Sequence, residues 1–274
     1  ILSKILGMKV VYTIHDVVSF ENARSSDRLS NWIYKRANKI ITHNKFSKEI
    51  FRAHYKNINT EIDIIPHGNY VPFLEVKEDK ILSRNYLRIL QEKKVLLFFG
   101  MIKKVKGLEV LLQAMKKVIA NNSDVFLVIA GRVWETDFSI YQKIINDNNL
   151  SDYCLIHNKF IPHEDVDHYY ASADLVVLPY KSIYQSGVLM MSMSYEKAVI
   201  VSDLPPLIEV VEDMKTGFVF ESENSESLSE KLNRILSDTN KLEEVRIEGS
   251  NHIKSKYDWL EIGKEMKKSY QSIL

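Results

Sequence analysis

The chain has 274 residues, of which 45% are hydrophobic and 27% charged, and these fractions are ordinary for a globular protein. Its 37 Lys and Arg residues against 36 Asp and Glu leave a formal charge of +1, which argues against a general nucleic-acid-binding surface. The single cysteine, Cys154, excludes an intrachain disulfide and multi-cysteine metal sites, and no apolar run approaches the ~20 residues that cross a bilayer.

Short apolar runs alternate with segments of helical period, and most runs lack the polar alternation of half-exposed strands. The predicted strands are Lys9–Ile14, Lys39–Thr42, Ile62–Ile65, Val95–Phe99, Val125–Ala130, Cys154–His157, Leu175–Pro179, Ala198–Ser202 and Gly217–Phe220. The predicted helices are Arg28–Ala37, Ser47–Tyr55, Gly107–Asn121, Ser139–Asn148, His163–Ser172, Ile183–Tyr195, Leu207–Glu212 and Ser225–Ser237. This alternation predicts an α/β, doubly wound architecture.

The alternation pauses once, where a turn-rich stretch from Pro66 to Pro72 is followed by a charged segment of helical character, Leu74–Glu92. We therefore expect a partial N-terminal Rossmann-like domain over 1–72 and a complete C-terminal one over 73–256. Residues 257–274 form an amphipathic pattern, which predicts a helix that packs back toward the N-terminal domain.

Lysines follow one of the predicted buried strands. Lys103, Lys104 and Lys106 lie between Gly100, at the end of a strand, and Gly107, at the start of a helix. Ammonium groups and backbone amides ahead of a helix can bind a diphosphate. The alternative is a solvated surface loop.

Two further loops follow buried strands and have the same potential. The polar turn Gln185–Ser186–Gly187 opens an apolar helix, and its backbone N–H groups could point at a phosphate. Gly131–Arg132 could add a guanidinium clamp. The alternatives are an ordinary β–α turn and a surface ion pair.

Histidines offer a different chemistry. His15 follows the first predicted strand and could bind a ligand or transfer protons, with His67 as a rival. An isolated histidine is more often structural, and the remaining histidines lack the spacing of metal ligands.

The order of these motifs resembles family 4 (group 1) glycosyltransferases over nearly the whole chain. The resemblance rests on Arg36–Thr42, Phe46–Lys48, Ile64–Gly68, Phe99–Gly107, Ile129–Gly131, Phe160–Ile161, Tyr170–Leu175, Gln185–Val188, Lys197–Asp203 and Glu209–Gly217. It implies the GT-B fold, in which two Rossmann-like domains hold a nucleotide sugar, and it implies a chain that lacks the start of its N-terminal domain.

The resemblance also assigns roles to residues of this chain. It implies His15, Lys103 and Lys106 as catalytic residues, with no metal and no cofactor because lysine, arginine and helix dipoles neutralise the leaving diphosphate. The donor-binding residues implied are Gly100, Lys103, Lys106, Gly131, Arg132, Phe160, Ile161, Gln185, Ser186, Gly187, Val188 and Leu189.

The chain departs from the family pattern at several positions, among them Glu196 and Ala198, which replace a usual glycine and proline. Met101 stands where an arginine is usual, and Lys103 could supply that charge. Ile183 and Met191 stand where the family usually carries paired glutamates. Gln185–Val188 instead resembles a branch of the family that has this sequence. The ribose contact and the stereochemical course are therefore left open.

We expect a glycosyltransferase that uses a UDP- or GDP-linked sugar and a glycan or lipid-linked hydroxyl acceptor in surface polysaccharide or O-antigen synthesis. We therefore expect a cytoplasmic location. Peripheral contact with the inner face of the cell membrane could involve the lysines at 264, 267 and 268 and those of the segment Lys35–Lys39. The alternatives are a non-catalytic nucleotide-sugar-binding or accessory subunit and, with less support, a sugar phosphorylase of the same fold.

Overall fold

A computed structural model of the chain describes residues 6–18, 27–74, 78–135 and 137–274. The chain divides into two compact units. Unit 1 comprises Ile1–Gly68 and Tyr257–Leu274, and unit 2 comprises Asn69–Lys256.

The strands are β1 (Val11–Ile14), β2 (Lys39–Thr42), β3 (Ile62–Ile64), β4 (Lys94–Phe99), β5 (Val125–Ala130), β6 (Cys154–His157), β7 (Leu175–Leu178), β8 (Ala198–Ser202) and β9 (Phe218–Phe220). The α-helices are α1 (Asp27–Tyr34), α2 (Lys45–His54), α3 (Lys80–Tyr86), α4 (Leu108–Asn121), α5 (Ser139–Asp147), α6 (His163–Ser172), α7 (Gly187–Ser194), α8 (Pro205–Ile208), α9 (Ser225–Ser237), α10 (Thr239–Lys256) and α11 (Trp259–Gln271). Single 3-10 turns lie at Val71–Phe73, Lys104–Lys106 and Ser151–Tyr153.

Unit 1 has a parallel sheet of three strands in the order β1-β2-β3. Helix α11, from the end of the chain, belongs to this unit, and its Ile262 packs against Ile41 of β2 and Ile65 after β3. Burial of such side chains is the main source of stability in a small α/β unit.

Unit 2 has a six-stranded parallel sheet in the order β6-β5-β4-β7-β8-β9. The strand order reverses between β4 and β7, and in open α/β sheets ligands bind in the crevice outside the carboxyl ends of strands at such a switch point. The run Val95–Phe98 of β4 is buried, as the continuous apolar sequence predicts, and α4 covers the sheet with Leu108, Leu111 and Met115.

Several elements differ from the sequence prediction, and local capping explains two of them. Helix α7 begins at Gly187 rather than Ile183, because the Ser186 side chain caps it by accepting from the Leu189 N–H (3.1 Å). Helix α2 begins at Lys45 rather than Ser47, because the Asn44 side chain caps it by accepting from the Ser47 N–H (2.8 Å).

The segment predicted as helical over Leu74–Glu92 forms a helix only over Lys80–Tyr86, where Asp79 is the N-cap. The boundary between the units lies at Gly68 and Asn69, whereas the sequence placed it after residue 72. Asn69 and Tyr70 bond to Ile253 and Ser194 of unit 2, with N···O distances of 3.2 and 2.9 Å. Across the described ranges, the helices are all too short or too polar to span a membrane.

Candidate active site

The loops after β4 and β5 approach each other closely at the carboxyl edge of the unit 2 sheet. Gly100 follows β4 and donates its N–H to the Ala130 carbonyl oxygen (2.9 Å). Gly131 follows β5 with a φ of +146°, and a Cβ at this position would overlap the carbonyl oxygen of Gly100. A residue with a side chain would therefore separate the two loops.

The lysine loop packs against the segment that follows β7. Gly107 adopts a φ of +65°, and a Cβ there would overlap the Pro179 carbonyl oxygen. The Lys181 N–H donates to the Val105 carbonyl oxygen (2.9 Å), so the loops after β4 and β7 are joined by backbone contact. This contact positions Lys103 and Lys106 at the switch point of the sheet.

Both lysines lie over aromatic rings. Lys106 Nζ is 3.7 Å from the ring centroid of Tyr180, and Lys103 Nζ is 5.5 Å from that of Trp134. Neither lysine forms an ion pair with a carboxylate within the described part of the chain, whereas neighbouring Lys181 pairs with Glu109 (2.5 Å). Cation–π contacts hold an ammonium group in place without neutralising its charge. The loop therefore offers positive charge to an anion.

The first turn of α7 reaches the same edge. A Cβ on Gly100 would lie 3.2 Å from Cγ2 of Val188, so these two predicted donor-binding residues are neighbours. Gly187 is exposed. The Leu189 N–H is engaged by Ser186 Oγ, so the amides of Gly187 and Val188 are better placed than that of Leu189 to meet a phosphate.

The remaining predicted donor-binding residues flank this edge. Arg132 follows Gly131 with an exposed side chain, and its carbonyl oxygen accepts from the Ile102 N–H (2.9 Å). Phe160 is 75% exposed and Ile161 is buried in the loop between β6 and α6. Gln185 is half-buried directly before the Ser186 cap.

His15 belongs to unit 1, where it forms part of a cluster with two other histidines. His15, His43 and His67 follow the carboxyl ends of β1, β2 and β3. His43 Nε2 lies 3.1 Å from His15 Nδ1, and His43 Nδ1 lies 3.0 Å from the carbonyl oxygen of Ile65. The ring centroids of His43 and His67 are 6.2 Å apart.

His43 lies in none of the sequence motifs that predict the site. The strand register would have indicated it, because Ile14 of β1 pairs with Thr42 of β2, and His15 and His43 are the next residues. Burial lowers the pKa of His43, and the neighbouring His15 and His67 lower it further.

One of the lysines predicted to contact a membrane, Lys39 at the end of the segment Lys35–Lys39, is buried. Lys39 is 2% exposed, and its ammonium group pairs with Glu61 (2.8 Å) and Asp63 (3.2 Å). In α11, Lys264 pairs with Glu261 (2.6 Å).

Within the ranges that the structure describes, no group of three or more His, Cys, Asp or Glu side chains could hold a metal ion.

The chain belongs to the group 1 glycosyltransferases. Residues 79–252, more than half of the chain, match the family Glycosyl transferases group 1. This match confirms the family that the ordered motifs indicated.

Among proteins of similar sequence, the lipopolysaccharide 1,2-N-acetylglucosaminetransferase of Salmonella typhimurium is 27% identical over 81% of this chain and 58% of its own length. The capsular polysaccharide biosynthesis glycosyltransferase CapM of Staphylococcus aureus is 24% identical over 70% of this chain and 50% of its own length. The match therefore spans little more than half the length of these relatives.

Among solved structures, Anabaena Alr3699/HepE in complex with UDP is similar with a TM-score of 0.87 and 19% identity, covering 98% of this chain and 74% of that one. Sucrose-phosphate synthase from Thermosynechococcus elongatus gives a TM-score of 0.80 at 18% identity, covering 97% and 68%. The prediction of an α/β protein of the GT-B fold, with two Rossmann-like parallel sheets, is confirmed.

Proposed function

We propose that the protein is a glycosyltransferase that moves a sugar from a nucleotide-diphosphate sugar, UDP- or GDP-linked, to a hydroxyl group of a glycan or lipid-linked acceptor. The observation that carries this proposal is the position of Lys106. Its ammonium group lies over Tyr180 at the switch point of the unit 2 sheet and has no carboxylate partner in the described residues. The exposed Gly187, at the start of α7, reaches the same edge of the sheet.

The chemistry of the reaction explains why such a group is needed. When the bond between the anomeric carbon and the diphosphate oxygen breaks, negative charge develops on the β-phosphate. Lys106 and Lys103 would stabilise that charge, and the amides of Gly187 and Val188 would hold the phosphate oxygens. Arg132 would assist from the exposed loop after β5, with no metal required.

The other proposed contacts follow from the family. Phe160 and Ile161 would lie near the base, Gly100 and Gly131 would allow the donor to approach the backbone, and His15 would act near the transferred sugar or the acceptor. A role in surface polysaccharide synthesis is supported by the names of the Salmonella and Staphylococcus relatives. Lipid-linked acceptors would make peripheral membrane contact useful, with Lys267 and Lys268 of α11 as its candidates.

A non-catalytic nucleotide-sugar-binding subunit is the second candidate. Ile183 lies in the loop before α7 and Met191 lies within α7, at the two positions where the family usually carries glutamates. Without these carboxylates, donor binding could persist while transfer is lost.

The decisive experiment compares Lys106→Ala with Lys104→Ala. Lys104 is an exposed lysine of the same 3-10 turn and serves as the matched control. Consumption of UDP-glucose and of GDP-linked sugars is measured by mass spectrometry with and without glycan acceptors. We expect Lys106→Ala to lower turnover about 10²- to 10³-fold, the usual effect of removing one charge-stabilising donor, and Lys104→Ala to retain it. Near-normal turnover in Lys106→Ala would refute the assignment.

Thermal unfolding with the same nucleotides distinguishes the two candidates. A ligand at 100 times its Kd stabilises the folded state by about 2.7 kcal/mol, which raises the Tm. A shift without donor consumption supports the binding subunit, and the absence of a shift with every nucleotide contradicts both.

A further inference from the structure

Two histidines of unit 1, His15 and His43, form a hydrogen-bonded chain with the Ile65 carbonyl oxygen, and this chain assigns protons to particular nitrogen atoms. A carbonyl oxygen only accepts hydrogen bonds, so His43 Nδ1, which lies 3.0 Å from the Ile65 carbonyl oxygen, carries a hydrogen. A neutral imidazole has a single N–H group, so His43 Nε2 is then an acceptor. The partner of that acceptor, 3.1 Å away, is His15 Nδ1.

The direction of the second hydrogen bond follows from the first. His15 Nδ1 donates to His43 Nε2, and in neutral His15 this leaves the lone pair on Nε2. If His43 were protonated instead, both of its nitrogens would donate and His15 would hold the opposite tautomer. Burial of His43 and the proximity of His15 and His67 disfavour that protonated form.

We propose that His43 is a positioning residue that fixes His15 as the Nδ1–H tautomer, which makes Nε2 the accepting nitrogen of neutral His15 in the proposed sugar transfer. This inference rests on the proposed function for its substrate, whereas the tautomer itself is a property of the protein alone. The Ile65 carbonyl has the orienting role that a carboxylate or carbonyl group often has toward a ligand-binding histidine.

The strand register makes this arrangement rigid. Thr42 of β2 pairs with Ile14 of β1 and with Ile64 of β3, and the Ile65 N–H donates to the Thr42 carbonyl oxygen (2.8 Å). His43 therefore directly follows the end of the central strand, with one neighbour in the hydrogen-bonded chain on each side. Groups built on strands hold their geometry better than groups on mobile loops.

The test is an NMR measurement on the full chain with 15N-labelled histidine, in which the nitrogen shifts and couplings distinguish the two tautomers of His15. The variants are His43→Phe, which removes both hydrogen bonds, and His43→Gln, whose amide can accept from His15 and donate to the Ile65 carbonyl. His54→Phe, at the exposed end of α2, is the matched control.

We expect the Nδ1–H tautomer of His15 in the wild type, in His43→Gln and in His54→Phe, and its loss in His43→Phe. Turnover of the sugar donor should fall about tenfold in His43→Phe, the rate equivalent of one ordinary hydrogen bond, and should recover in His43→Gln. A purely structural role of His43 would leave the tautomer unchanged wherever the variant folds.

The Nε2–H tautomer of His15 in the wild-type protein would overturn the inference without any variant, so a failure of His43→Phe to fold does not prevent the test. An active enzyme with that tautomer contradicts the inference and leaves the proposed function standing. An inactive wild-type chain with the Nδ1–H tautomer contradicts the proposed function alone.

Discussion

In unit 1 histidines follow the strands, directly after β1 and β2 and within the turn after β3. In unit 2 glycines follow β4 and β5 directly, and basic residues come next in the same loops, Lys103 and Lys106 after β4 and Arg132 after β5. The two sheets share a parallel architecture, so the architecture does not determine this chemistry. Imidazole exchanges protons near neutral pH, and lysine on an aromatic ring presents a lasting positive charge. The proposed function assigns hydroxyl groups to unit 1 and a diphosphate to unit 2, and this difference in side-chain chemistry supports that assignment.

The largest expected effect concerns the glycine contact of unit 2. We expect Gly131→Ala to reduce the free energy of unfolding by about 3 kcal/mol, because the new Cβ would overlap the Gly100 carbonyl oxygen at an unfavourable φ. Denaturant unfolding followed by circular dichroism measures this loss, and donor affinity should fall with it.

Gly263→Ala is the control for that substitution. Gly263 lies in α11 of unit 1 with open space around it, so alanine should stabilise the helix by about 0.5–1 kcal/mol. If both substitutions changed the free energy of unfolding equally, the close approach of the loops after β4 and β5 would contribute nothing specific to stability.

A smaller effect is expected at the cap of α7. Ser186→Ala removes the acceptor of the Leu189 N–H and should cost about 1 kcal/mol of stability. Because the cap shapes the turn that presents the Gly187 and Val188 amides, binding of a nucleotide diphosphate should weaken as well. Isothermal titration calorimetry measures the affinity.

Asn224→Ala provides the matched comparison, since Asn224 caps α9 by accepting from the N–H groups of Glu226 and Ser227 (both 3.0 Å). It should lose similar stability and keep its nucleotide affinity. If both variants bind equally well, the turn before α7 is not part of the donor site.

The smallest effect is a pH dependence in unit 1. The pKa of His43 lies below its ordinary value of 6.5 in the folded state, so the unfolded chain binds a proton first on acidification. The contribution of His43 to the free energy of unfolding is therefore fully present above about pH 6.5 and decreases as the pH falls toward the lower pKa of the folded state. The decrease is less than about 1.4 kcal/mol per pH unit.

The free energy of unfolding measured between pH 7 and 5 should fall less steeply in His43→Phe than in the wild type. His157 and His252 of unit 2 also have lowered pKa values, chiefly from burial, so part of the slope should persist. An unchanged slope would contradict the lowered pKa of His43. His54→Phe controls for the general loss of a histidine.

The sheet of unit 2 could be predicted from the sequence because its strands are buried on both faces. The run Val125–Ala130 has no polar interruption, and its predicted bounds agree with β5. Helix α10 was not predicted, because the residues it buries include Gly249 and Ser250 beside Val245 and Ile253, and small or polar residues leave no apolar period.

The candidate site was predictable where one loop carries the signal and not where two strands must be aligned. Lys106 lies in a loop that directly follows a predicted strand, so the sequence indicates it. Its contact with Tyr180 depends on β4 and β7 being neighbours in the sheet. His43 is 28 residues from His15 in the chain, and only the parallel register of β1 and β2 makes them neighbours. Sequence periodicity contains no information on register between distant strands.

The membership of α11 in unit 1 has a consequence for how the chain folds during synthesis. The ribosome makes all of unit 2 before it makes the helix that carries Ile262, so Ile41 and Ile65 lack this packing partner until residues 69–256 have been synthesised. Domains generally fold as units once their sequence has emerged. We therefore expect unit 2 to mature first, and the earlier-made unit 1 to be the last to reach its native state.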